Sequence, residues 1–78
     1  MTLKEFLQTL SLADRSVFAQ SVGSSAGHLR NISYGYRPCS EGLAIEIEKL
    51  SAGIVRCEDL CPDVDWSYLR NSQRELAP

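Results

Sequence analysis

A chain of 78 residues with 44% hydrophobic and 23% charged content has the make-up of one small folded domain, not of a disordered segment. A core this small leaves little room for a buried catalytic cavity, and no apolar run approaches the ~20 residues that a bilayer span needs. The net charge of −2 is unevenly spread: residues 15–38 hold three cations and no anion, whereas residues 39–65 sum to −5, so an anionic partner fits only the first stretch.

In chain order the pattern predicts helices throughout. Thr2 and Glu5 fit a capping box, and Leu3, Phe6, Leu7 and Leu10 follow the i, i+3, i+4, i+7 spacing of a buried stripe. Ser11 and Asp14 form a second box-like pair, opening a helix expected over Leu12–Val22. Gly23 ends it, and Ser24 is the expected N-cap of a third helix over Ser25–Ser33. Gly35 stops that helix, and Tyr36, Arg37 and Pro38 form a loop. Ser40 caps a fourth helix with Leu43, Ala44, Ile47 and Leu50 facing inward, closed by Gly53. Ile54 and Val55 read as an extended link tucked under the domain. Residues 57–61 suit one helical turn before Pro62, and Asp65 can cap a last turn carrying Trp66 and Leu69. The folded domain is expected over residues 1–70, with residues 71–78 a flexible tail.

The most informative spacing is Ala19-x3-Gly23-x5-Leu29-x2-Ile32, the skeleton of a helix-turn-helix. A small residue at Ala19 lets two helices cross closely. Gly23 supplies the positive φ of the turn, and Leu29 and Ile32 pack back onto the first helix beside Phe18 and Val22. The opposite face of the third helix then projects outward, as in proteins that enter the DNA major groove. It carries Ser25, Ala26, Gly27, His28, Arg30, Asn31 and Tyr34. Arg30 has the fork that matches guanine, with phosphate as the alternative; Asn31 suits adenine or solvent. Ser25 and His28 can meet base edges or phosphate, Ala26 and Gly27 permit close approach, and Ala26 can meet a thymine methyl. Tyr34 and Arg37 suit backbone clamping, as does Tyr36, which equally suits a core lid. Gln20 and the third helix's N-terminus are candidates for phosphates, and Arg15 adds a cation to the acid-free stretch.

Cys39, Cys57 and Cys61 are an odd number, which suggests free thiols in a reducing, cytoplasmic setting, and the N-terminus lacks the pattern of a signal peptide. Cys57 and Cys61 would need further ligands for zinc, and the single histidine, His28, belongs to the DNA-reading helix, so neither a metal nor a cofactor is expected. The same lone histidine, with no phosphate-cradling glycine loop and no Ser-His-Asp set, argues against an enzyme. Trp66, Tyr68 and Leu69 either close the core or form a partner surface, and dimer contacts are expected there.

Beyond the skeleton, Gly35-Tyr36-Arg37, the run Ile45–Val55, and Cys57-Glu58-Asp59-Leu60-Cys61-Pro62-Asp63-Val64-Asp65-Trp66 follow in an order that resembles the Cro/YdaS-like family of prophage DNA-binding regulators. The stretch 63–70 resembles its YdaS branch, and the resemblance covers roughly residues 11–71. It implies a five-helix, lambda-repressor-like all-α bundle. It also implies a bacterial, nucleoid-associated repressor that binds double-stranded operator DNA, since one such motif spans few base pairs, as a homodimer. Where the family often has a Thr ahead of the short helix and a polar residue before Pro-Asp, this chain has Arg56 and Cys61. The rival expectation is an antitoxin-like chain whose aromatic and acidic end neutralises a partner toxin.

Overall fold

The helices form because most of them open on a hydroxyl that accepts one of the orphan N–H groups of the first turn. In the computed structural model, which describes residues 1–68, these are α1 (Leu3–Gln8), α2 (Leu12–Ser21), α3 (Ala26–Ser33), α4 (Glu41–Leu50) and α5 (Cys57–Leu60). Residues 66–68 are also helical, and no strand occurs among the described residues, so the fold is an all-α bundle.

Thr2 Oγ1 accepts from the Glu5 amide at 3.2 Å while Glu5 Oε1 accepts from the Thr2 amide at 3.0 Å, a complete capping box. These bonds from Thr2 hold the Glu5 carboxyl below its ordinary range. Ser11 accepts from the Asp14 amide at 3.1 Å and Ser40 from the Leu43 amide at 3.3 Å. The residue before α5 is Arg56, whose side chain makes no capping bond. A carboxylate from α4 takes that role instead: Glu48 Oε1 accepts from the Cys57 amide at 2.9 Å. The absent threonine is thus replaced from another helix.

The C-termini of α2, α3 and α4 close in one way. After α2, Gly23 has φ +78°, its amide donates to the Gln20 carbonyl at 3.0 Å, and the Ser24 amide reaches back to Ala19 at 2.8 Å. After α3, Gly35 (φ +82°) repeats this, with the Tyr36 amide on the Asn31 carbonyl at 2.9 Å. Both are Schellman closures. After α4 the left-handed position falls on Ala52 (φ +56°), with Gly53 (φ +80°) following.

The core is filled by Leu29, Ile47 and Val55, with Ala19 and Ala44 letting backbones approach and Leu3, Leu7, Val22, Cys39 and Cys57 around them. Phe6 and Phe18 meet edge to face at 5.1 Å between ring centres, joining α1 to α2.

Four expectations are corrected. The N-cap of α3 is Ser25, not Ser24, because Ser24 already serves the closure of α2. Leu50 is exposed, since the inward face of α4 continues from Ile47 to Ser51, whose buried hydroxyl accepts from the Val55 amide at 3.1 Å. Val55 is buried but Ile54 is exposed. Trp66 is only 6% exposed and its indole N–H donates to the Cys61 carbonyl at 2.7 Å, so it belongs to the core, not to a dimer surface. Tyr68 is exposed, its amide held by Asp65 at 3.1 Å. The expectations for Leu69 and for a tail over residues 71–78 lie outside the described residues.

Candidate nucleic-acid interface

Three structural facts fix how α3 is presented. Its buried side is Leu29, with Ile32 and Ala26 half-buried against the core. Its N-terminus is pinned by Ser25 Oγ, which accepts from the His28 amide at 3.1 Å. The tight turn at Gly23 and Ser24 sets it across α2. This is a helix-turn-helix, and the face opposite the core is open.

At 100° per residue, Gly27, Arg30, Asn31 and Tyr34 form an i, i+3, i+4, i+7 stripe on that open face. They line one surface hollow together with Tyr36. Tyr34 and Tyr36 stand with ring centres 6.0 Å apart, and the Arg30 guanidinium lies over the Tyr34 ring, 5.6 Å from its centre. His28 is exposed on the far flank of the helix, outside this hollow. Gln20 and Arg37 are also exposed and outside it.

Two candidates differ from their sequence reading. Ala26 does not point freely outward; it is half-buried and packs against the core. Arg15 is half-buried and its Nε donates to the Leu7 and Leu10 carbonyls at 2.6 and 3.2 Å, so that nitrogen braces the end of α1. Ser25 uses one lone pair on the helix cap and keeps its O–H to donate and a second lone pair to accept.

The sequence reading missed Lys4 altogether. It sits on α1, yet its Nζ lies over the Tyr34 ring, 5.3 Å from the centre. Nothing in the spacing of α1 announces this, because the neighbour is brought there by tertiary packing. Tyr36, left between clamp and core lid, is 76% exposed, which rules out the lid.

Electrostatically the molecule has two halves. Among the described residues, both cations after position 38 are paired: Lys49 with Glu46, and Arg56 with Glu48 and Glu58. Among the described residues, no carboxylate is ion-paired with Lys4, Arg15, Arg30 or Arg37. Such a face of cations interleaved with tyrosine hydroxyls suits a polyanion. Away from it, Cys39 is buried, and desolvation, with smaller contributions from Cys61, Cys57 and Glu41, pushes its thiol up to about 11. No group of three or more metal-ligating side chains occurs among the described residues.

The fold and this face define a small helix-turn-helix protein. Residues 13–69 match the family model described as "Bacterial toxin YdaS". The chain is 38% identical over 58 residues to "Putative transcriptional regulator YdaS" of Escherichia coli K12, covering 74% of this chain and 59% of that protein. It is 32% identical over 62 residues to "Prophage transcriptional regulatory protein" of the same organism, covering 80% of this chain and 94% of that protein. The chain belongs to the YdaS family. It spans about three-fifths of the length of the first of these relatives.

Proposed function

We propose that this chain is a transcriptional regulator of the Cro-like prophage repressor kind, which binds operator DNA through α3 and acts in the bacterial cytoplasm on the nucleoid. The observation that carries the reading is the outward stripe Gly27, Arg30, Asn31 and Tyr34 on the second helix of a helix-turn-helix, on the half whose cations have no carboxylate partner. The names of both relatives support regulation, and one supports a prophage setting. In this reading Arg30 takes guanine, Asn31 takes adenine, and Ser25, Gln20, His28 and Arg37 position the backbone. The reading contains no catalytic step. One subunit offers few cations, so specific binding takes a homodimer on a pseudo-palindromic site. The test is titration of the purified protein against fragments of the DNA upstream of its own gene. Selective retention of one fragment, with two subunits bound and a half-site held far more weakly, is expected; indifference among fragments overturns it.

A second reading draws on the description of the family as a bacterial toxin. It makes the chain an interaction protein, of which the antitoxin-like partner of a toxin is one form. Induced expression of the parent and of Arg30→Ala separates the two. Growth inhibition lost with Arg30 assigns the effect to DNA. Inhibition retained by a variant that no longer binds DNA assigns it to a protein partner.

A further inference from the structure

Beside the recognition face lies a second depression, which the DNA-reading stripe does not account for. It is a groove of about 490 Å³ walled by α1 on one side and α3 on the other, floored by the start of α2. Lys4, Gln8, Arg15, Gly27, Arg30 and Tyr34 are among its lining residues, and among the described residues no carboxylate lines it. Gly27, Arg30 and Tyr34 line both this groove and the hollow on the open face, so the two are continuous.

Three features of the groove bear on its occupant. First, Lys4 and Arg30 come from different helices and converge on one ring: both cations lie over Tyr34, at 5.3 and 5.6 Å from its centre. Two cations gathered at one ring, on residues with no carboxylate ion-pair partner among the described residues, raise the local positive potential and favour an anion beside them. Second, the carboxylate next to Lys4 in sequence is occupied elsewhere. Glu5 Oε1 accepts from both the Thr2 amide and the Thr2 hydroxyl, each at 3.0 Å, so the capping box draws that charge toward the start of α1. Third, α1 is held firmly: Arg15 Nε ties the Leu7 and Leu10 carbonyls at its end, and Phe6 meets Phe18 edge to face. Lys4 is therefore presented from a braced support.

We propose that this groove is a second contact track for the DNA backbone, in which Lys4, steered by the Tyr34 ring, neutralises a phosphate flanking the bases read by α3. The inference rests on the DNA-binding reading and adds α1 to the interface. The occupant is a phosphodiester strand and not an isolated anion, because the groove runs without a break into the face that reads bases. Gln8 offers an amide donor on the same wall. Lys4 contributes affinity without sequence preference, whereas Arg30 serves both depressions and contributes both.

The experiment is fluorescence anisotropy of the full chain on a mixed-sequence DNA duplex of about three helical turns, over a range of salt concentrations, using the parent, Lys4→Ala and Lys4→Arg. Each phosphate neutralised contributes about 0.9 to the slope of log affinity against log salt. Lys4→Ala is expected to reduce the slope by about 1, and Lys4→Arg to retain it. Lys4 is exposed, so the thermal melt of Lys4→Ala should match the parent. A parent-like slope in Lys4→Ala, with the parent binding duplex, overturns the second track and leaves the recognition reading standing. A parent with no salt-dependent binding to duplex overturns both.

Discussion

Arg30 carries two roles that neighbouring side chains divide between them. Its guanidinium lies over Tyr34 and also faces the hollow beside Asn31. Arg30→Ala and Asn31→Ala should each weaken specific binding by ~1–3 kcal/mol, the worth of one bidentate base contact, with circular dichroism unchanged. Titration on the retained upstream fragment checks this, and unchanged affinity in both variants would place the reading face elsewhere. A different residue links the fold to alkaline pH. The Cys39 thiol, desolvated in the core, is pushed from 9.0 up to about 11. A raised acid stays protonated in the folded chain while the unfolded chain ionises. Its contribution is therefore fully present below pH 9 and is lost as pH rises from about 9 to about 11. Denaturant melts at neutral and high pH should show this loss in the parent and a smaller one in Cys39→Ala. The same burial predicts slow alkylation of Cys39 by thiol reagents at mildly alkaline pH.

Helix ends show what a sequence discloses and what it withholds. Thr2, Ser11 and Ser40 announce their helices because capping is local: the hydroxyl and the amide it serves are three residues apart. Ser24 misleads by one position because two helices compete for the same turn, and the closure of α2 claims it. Leu50 and Ile54 mislead because apolarity marks a residue as suitable for the core, while Ser51, a polar residue, takes the buried place by hydrogen bonding to Val55. The stripe of α3 is legible from its period. The groove wall supplied by Lys4 is not, since it depends on how α1 packs against α3. The left-handed closures yield a paired test. A Cβ at Gly23 meets nothing within 4 Å, so substitution there is penalised by backbone conformation alone. Gly23→Val should destabilise by more than about 1 kcal/mol and Gly23→Asn by less, because asparagine tolerates positive φ. Ala52, already at φ +56°, should respond in the opposite sense: Ala52→Gly should stabilise by up to about 1 kcal/mol. Thermal melts of the three variants check the set.

On the scale of the whole molecule, Trp66 separates stability from assembly. It lies 6% exposed against the core and anchors to the Cys61 carbonyl. Trp66→Ala should cost about 3–5 kcal/mol, a large part of what holds a small domain together. Trp66→Phe, which keeps the ring and loses the N–H, should fold and bind DNA with the parent stoichiometry. Loss of the second subunit by a fully folded Trp66→Phe would return this residue to an interface. The two electrostatic halves have a consequence for motion. Among the described residues, 1–38, which form α1 to α3, carry +2, and 39–68, which hold α4 and α5, carry −5, so charge is spread unevenly over the helices. Near a polyanion such a body rotates before it lands, and collisions with its acidic side lead to recoil. Encounter becomes orientation-selective within a Debye length of about 10 Å at 0.1 M salt.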